Sequence, residues 1–200
     1  MMPRMSLGIW MAIFGAIIIG GCSGAVNYSK NDIVNITDFE LSPDEAKIAF
    51  SAITPVGNFD IWVVDIDGKN LKKLTFQDHS PTNHIAKFFK KHRWRNFFEI
   101  DMHYPGWTSD GKVIFCQELT SHNIWGVRTA NLLFWTINSD GTEKKPKTEK
   151  DKYIETRPFD PINRAEISSQ SEKYKIEILL KDKDLLILKD GETSPKRLIQ

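Results

Sequence analysis

Glu99, Asp101 and His103 are the residues in the middle of the chain whose types and spacing could do chemistry. Alternate side chains of a β-strand project from one face, so two carboxylates and an imidazole would meet there. Such a set could bind a divalent ion, or it could be the solvated face of an edge strand. The histidines form no HxxxH or HxH pair, so their spacing does not indicate zinc. We therefore predict no metal site.

Motifs of enzymes and cofactor-binding proteins are absent from the sequence. Asp65–Asn70 resembles the start of a calcium loop, but Gly68 comes two positions early and the twelfth position is not Glu. A hairpin turn explains this segment better. The sequence has no G-x-S-x-G elbow, no P-loop and no G-x-G-x-x-G run. We expect no catalytic residue and no cofactor.

The thiol of Cys22 is a second reactive group, and it follows an apolar N-terminal run. Arg4 is the one charge before this run, which extends over 15 residues from Leu7 to Gly21. A basic start, a short apolar core and small residues before a cleavage site are typical of a secretory signal. The run is shorter than the roughly 20 residues that span a bilayer as a helix. The sequence predicts a signal peptide over 1–21, followed by a linker over 22–32.

The residues around Cys22 make this prediction more specific. Ile19-Gly20-Gly21-Cys22 resembles the lipobox of bacterial lipoproteins. The resemblance implies cleavage before Cys22 and lipidation of its thiol, with acyl chains such as palmitate anchoring the protein. In Gram-negative families, Ser23 in place of aspartate favours the outer membrane, facing the periplasm. The alternatives are an uncleaved anchor helix and an ordinary signal with a chance cysteine. Cys116, in an apolar run, is expected to be a buried structural thiol.

Composition excludes several classes of protein. The chain has 200 residues, 40% hydrophobic and 26% charged, with a net charge of +1. These values exclude a disordered chain, a collagen and a polytopic membrane protein. The basic excess is too small for a general nucleic-acid binder, and a periplasmic address also removes nucleic acid as a partner.

One segment, 81–104, departs from the rest because basic residues alternate with aromatic ones. This pattern suits an anionic membrane surface, an acidic partner or RNA. Alternatively, the aromatics of an inserted segment pack on the domain while the cations face water. The residues predicted to form a partner or membrane surface are Lys90, Lys91, Arg93, Trp94 and Arg95.

Short β-strands and tight turns must position these residues. Four Asp-Gly pairs occur, at 67–68, 110–111, 140–141 and 190–191. Asp-Gly between apolar runs is a strong hairpin signal. Tryptophans and β-branched residues crowd the runs between the pairs, which indicates an all-β sandwich, barrel or propeller.

Two segments of the chain are similar to each other. Phe39–Phe50 followed by Asp60–Gly68 aligns with Pro105–Phe115 followed by Leu132–Gly141. The pattern resembles the TolB-like propeller repeat, with its Trp-Ser-Pro-Asp-Gly turn and its Ile-Trp-Val-Asp strand. The first copy has Glu45 where the family has glycine. The resemblance implies all-β blades that bury both faces by stacking.

The length accounts for about three to four such blades, at roughly 40–45 residues each. We expect a repeat domain over 33–200, with a blade at 38–75, an insertion at 81–104, a blade at 105–148 and a degenerate blade at 155–200. TolB-like propellers usually have six or more blades. Three explanations stay open: a truncated product, a short stack completed by self-association, and a small divergent closed fold.

These observations lead to one expected function and one alternative. The resemblance implies a non-catalytic, lipid-anchored envelope protein whose blades scaffold contacts with an envelope partner. The alternative is the propeller part of a larger prolyl oligopeptidase-type peptidase, because related propellers precede the hydrolase domain of those enzymes.

Overall fold

The computed structural model describes residues 33–54, 58–92, 97–123, 128–151 and 167–199. Within these ranges the chain is mostly β-sheet and forms three small antiparallel sheets, which confirms the expected β-rich fold class. Each sheet has four strands, and each strand pairs with its neighbours in sequence. The predicted signal peptide, the linker and Cys22 lie outside the described residues.

The three sheets follow one another along the chain. The first contains β1 (Asn35–Leu41), β2 (Lys47–Ile53), β3 (Phe59–Asp65) and β4 (Lys72–Lys73). A 3-10 turn (Gln77–His79) and helix α1 (Pro81–Lys91) then precede the second sheet, of β5 (Phe97–Trp107), β6 (Val113–His122), β7 (Arg128–Ile137) and β8 (Lys145–Pro146). The third contains β9 (Ile167–Ser171), β10 (Ile176–Lys181), β11 (Asp184–Lys189) and β12 (Lys196–Arg197).

The first sheet is the middle layer, because its two faces pack against the other two sheets. Alternation along β3 directs Trp62 and Val64 to one face and Ile61 and Val63 to the other, and all four are buried. The Trp62 face packs against apolar residues of the third sheet, namely Ile178, Leu180, Leu185 and Leu198. The Ile61 face packs against apolar residues of the second sheet, namely Met102, Trp107, Val113, Phe115 and Ile137. Two separate apolar cores therefore hold the three sheets together.

The predicted Asp-Gly turns connect consecutive strands, and their glycines have φ values of 77° to 83°. Gly68 has a second role, because its turn contacts the third sheet. A Cβ atom at this position would lie 2.4 Å from the carbonyl oxygen of Leu198. Glycine at 68 is therefore required both by the backbone conformation and by the close approach of the third sheet.

Glu45, at the position where the repeat pattern has glycine, also joins the first sheet to the third. Its φ is 59°, in the left-handed region that the missing glycine would adopt readily. Its carboxylate accepts hydrogen bonds from the Ser171 hydroxyl at 2.5 Å and from the Lys173 backbone N–H at 3.0 Å. The departure from the repeat is thus compensated by contacts that a glycine could not make.

The second sheet begins earlier than the sequence pattern indicated. Strand β5 starts at Phe97, inside the segment 81–104 that was expected to be an insertion. Residues 97–104 carry none of the repeat's turn motif. The alternation at Glu99, Asp101 and His103 therefore indicated a strand here, but not that this strand belongs to the second sheet. The segment contributes both α1 and the first strand of a sheet.

Candidate functional site

Helix α1 carries the described part of the basic and aromatic segment. Pro81 occupies its first turn, where the missing N–H costs no hydrogen bond. Lys90 and Lys91 lie in the last turn, where positive charge is favourable beside the free carbonyl groups. The sequence places no acidic residue between Pro81 and His92. The helix therefore carries positive charge without acidic residues, and its lysines lie in its second half.

Polar side chains attach the inner face of α1 to β5. Asn83 is fully buried; its side-chain amide donates to the Gln77 and Ile100 carbonyls at 2.9 and 2.8 Å. Its amide oxygen accepts from the Ile100 N–H at 2.6 Å. Nearby, the Lys90 ammonium pairs with Glu99 and lies 5.6 Å from the Phe97 ring centroid. Asn83 thus pairs with both backbone groups of Ile100, as a neighbouring strand would.

The outer face of α1 exposes apolar side chains. Ile85 is 51% exposed and Phe88 is 53% exposed, and the exposed His84, Lys91 and His92 lie beside them. A surface helix normally buries its apolar stripe and presents its polar face to solvent. Helix α1 has the opposite arrangement, with Asn83 inside and Phe88 outside. Burial in the core of this chain therefore does not explain the apolar stripe.

The residues predicted for a partner or membrane surface are only partly described. Lys90 and Lys91 lie at the C-terminal end of α1, Lys90 paired with Glu99 and Lys91 exposed. Arg93, Trp94 and Arg95 lie outside the described residues. Sequence reasoning missed Ile85 and Phe88, although their three-residue spacing is the signal of a helical stripe.

The alternating residues of β5 have structural partners. Glu99 lies 3.8 Å from His122 in addition to its contact with Lys90. Asp101 accepts a hydrogen bond from the Phe59 backbone N–H at 2.9 Å, and burial raises the pKa of this carboxyl. His103 lies 3.9 Å from Glu118. Among the described residues, no group of three or more potential ligands could hold a metal ion.

Strand β7 of the second sheet is exposed over most of its length. Its first seven residues, Arg128 to Phe134, are all exposed, and Leu132, Leu133 and Phe134 are each at least half exposed. It pairs with β6 along its whole length, whereas β8 pairs with it only at Trp135 and Thr136. The edge before Phe134 therefore has no strand partner among the described residues.

The sequence of this open edge is unusual for an exposed strand. No charged residue occurs from Thr129 to Ile137. Proteins usually protect such edges with charges, proline or a covering element, because free N–H and C=O groups pair readily with another strand. Apart from Arg128 at its start, the β7 edge, defined as residues 128–134, lacks these devices within the part of the chain that is described.

The buried ion pair of Asp60 and Lys73 joins β3 to β4 within the first sheet. The carboxylate and the ammonium are 2.9 Å apart, and both side chains are fully buried. Asp60 also accepts hydrogen bonds from the Thr75 hydroxyl at 2.7 Å and the Gln77 N–H at 2.9 Å. Burial raises the pKa of Asp60 to about 6, and the charge of Lys73 offsets only part of this effect. This closed cluster links β3 to β4 and to the turn before α1.

The thiol of Cys116 is buried, as the sequence predicted. Burial, and secondly the charge of Glu118, raise the pKa of Cys116 to about 11. The thiolate is the nucleophilic form, so this cysteine is unsuited to catalysis.

A cleft of about 680 Å³ lies between the first and third sheets, beside the Asp67-Gly68 turn. Two of its cations already have acidic partners: Lys196 with Glu192 and Arg197 with Asp184, both at 2.7 Å. The cleft presents no concentrated charge of one sign for a small ligand.

No helix within the described residues is long and apolar enough to cross a membrane. Comparison of the chain with protein-family models, curated proteins and solved structures found no match. The surfaces of α1 and the β7 edge are therefore interpreted from their own chemistry.

Proposed function

We propose that the protein is a non-catalytic, lipid-anchored envelope protein whose TolB-like blades form a scaffold for protein–protein contacts. Cys22 is the lipidation site, and the anchor holds the chain at the outer membrane on the periplasmic side. The three four-stranded sheets, each with sequential antiparallel strands, support the blade interpretation. The middle sheet, packed on both faces, supports a stack of blades.

The observation that carries the scaffold function is the β7 edge. A free strand edge with exposed Leu132, Leu133 and Phe134 can accept an added strand from another protein. The backbone C=O of Phe134 accepts from the Lys147 N–H on the β8 side. Alternation therefore directs the backbone groups of Leu132 and Ala130 to the same open side.

The charges around this edge favour a different protein over a second copy. Arg128, whose guanidinium pairs with Glu118 at 2.6 Å, stands at one end of the edge, and the exposed Lys145 and Lys147 stand at the other. Antiparallel pairing of two β7 edges would place Arg128 of each copy near the lysines of the other. Like charges facing each other across strands are destabilising. The proposed occupant is an extended, apolar segment of an envelope protein with acidic residues at the end that meets Lys145 and Lys147.

The anchor is tested by the intact mass of the protein extracted from its own cell envelope. The expected mass is that of residues 22–200 plus acyl chains. Retention of residues 1–21, or an unmodified Cys22, would contradict the anchor. A much longer polypeptide that contains this sequence would favour the alternative, the propeller part of a larger peptidase.

The scaffold is tested by photo-cross-linking in the envelope from a reactive group at Asn131, an exposed position of the β7 edge. We expect one partner of constant mass, absent when the group is placed at Tyr174 of the third sheet. Ala130→Lys adds a charge to the open edge and should abolish the product, whereas Ala130→Thr should retain it. Equal products from both positions, or none from Asn131, would contradict the scaffold. A product of twice the chain mass would identify a second copy and replace the proposed occupant.

A further inference from the structure

We propose that helix α1 docks on an anionic lipid surface, with Ile85 and Phe88 entering the headgroup region. The proposal rests on the lipid anchor of the proposed function, which keeps the helix close to a membrane. It extends that function by giving the chain a second, non-covalent membrane contact. The geometry that points to it is the reversed polarity of α1.

The inner face of the helix is fixed by polar contacts that leave the apolar stripe outside. The Asn83 amide spans both backbone groups of Ile100, and Lys90 is paired with Glu99. Turning the helix to bury Phe88 would break these contacts and leave the partly buried N–H and C=O of Ile100 without the Asn83 amide. The apolar face is therefore held outward by the structure itself.

Charge complementarity identifies the occupant as anionic. Lys91 is exposed beside Phe88, Lys90 lies in the same last turn, and Pro81 to His92 contains no acidic side chain. Apolar side chains flanked by cations are typical of helices that lie in the interface of anionic membranes.

The shape and size of the surface favour lipid over a protein partner. A stable protein interface needs roughly 800 Å² on each side, whereas the proposed contact consists of one convex helix of 11 residues, of which Asn83 and Ala86 are buried. A fluid bilayer adapts to a convex helix, whereas a protein would need a matching groove. Weak binding is also sufficient here, because a second signal becomes effective once a lipid chain holds the protein at the membrane.

The test uses the full chain reconstituted into vesicles of phosphatidylethanolamine with about a quarter phosphatidylglycerol. An environment-sensitive fluorophore is attached at Ile85→Cys, and a control fluorophore at Tyr174→Cys on the third sheet. The buried Cys116 should not take the label. Sedimentation with the vesicles shows whether the lipid anchor attaches the chain to the membrane. Access of a water-soluble quencher to the label at position 85 shows whether helix α1 is docked.

We expect protection of the label at position 85 but not at 174, and weaker protection in vesicles of phosphatidylcholine alone. Lys91→Gln should lower the ratio of docked to free helix about five-fold, whereas Lys150→Gln, an exposed site on another element, should leave it unchanged.

Other outcomes separate the two proposals. A chain that sediments with both labels accessible would overturn helix docking while leaving the anchor intact. Protection at 85 that appears only after envelope proteins are added would assign the surface to a protein partner and overturn the lipid proposal. A chain that stays in the supernatant would contradict the anchor and the docking that rests on it.

Discussion

Replacement of Asn83 by alanine should release helix α1 from the second sheet without unfolding the sheets. The Asn83 side chain makes three hydrogen bonds of 2.6 to 2.9 Å, two of them with the backbone of Ile100. A hydrogen bond contributes about 1 kcal/mol net, and a buried group left without its partner costs about 1–3 kcal/mol. Because the alanine variant loses all three bonds, helix docking should weaken by about 2–4 kcal/mol.

Amide hydrogen exchange followed by mass spectrometry measures this effect residue range by residue range. A loss of 2–4 kcal/mol corresponds to exchange about 30- to 1,000-fold faster in α1, since about 1.4 kcal/mol is tenfold. Peptides from β2, β3, β10 and β11 should keep the protection of the wild-type chain. The matched control is Asn138→Ala, which removes one exposed hydrogen bond to the Thr142 hydroxyl and should change nothing in α1.

Two results would refute this reasoning. Exchange in α1 within three-fold of the wild-type rate would mean that Asn83 does not hold the helix. Faster exchange in all three sheets alike would mean that Asn83 supports the whole fold, and the helix would then not be a separately attached element. The first result would also remove the argument that the apolar stripe is held outward.

Three further predictions concern stability and reactivity. Gly68→Ala should lower the free energy of unfolding by clearly more than Gly111→Ala in urea denaturation, because both have positive φ but only position 68 meets the Leu198 carbonyl oxygen, at 2.4 Å. Equal losses would mean that the contact between the first and third sheets yields at little cost. The pKa of Asp60 is about 6 in the folded chain, above its ordinary value of 3.8. Between pH 3.8 and about 6 the native state therefore binds more protons than the unfolded state, so the free energy of unfolding should fall as pH rises through this range. The fall in unfolding free energy attributable to Asp60 should be about 3 kcal/mol. Thermal or urea unfolding from pH 4 to 7 should show this fall in the wild-type chain but not in Asp60→Asn. An unchanged pH dependence in that variant would contradict the assignment. The pKa of Cys116 is raised from 9.0 to about 11, so its thiol should react with iodoacetamide about 100-fold more slowly in the folded chain than in urea. Peptide masses measure the extent of reaction. Equal rates would show that the thiol is accessible in the folded chain.

The local turn chemistry and the strand pattern allowed much of the fold to be predicted from the sequence. The Asp-Gly pairs mark turns because both residues tolerate positive φ, and the alternation in β3 anticipated a strand with both faces buried. The alternation at Glu99, Asp101 and His103 predicted a strand there, but its place in the second sheet was not predicted, because this part of β5 carries no turn motif. The role of Glu45 in bonding the third sheet could not be inferred, since Ser171 lies 126 residues away.

The sequence by itself determined the turns, the strands of the first sheet, the buried character of Cys116 and the cationic, aromatic composition around Lys90 and Lys91. These properties follow from local conformational preference and from residue type. Only the tertiary structure decided that Phe88 faces outward and that the β7 edge is open. Those properties depend on which neighbour each face meets. The packing of the second sheet brings Ile100 to α1, and it pairs β7 with β6 along its length but with β8 only at one end.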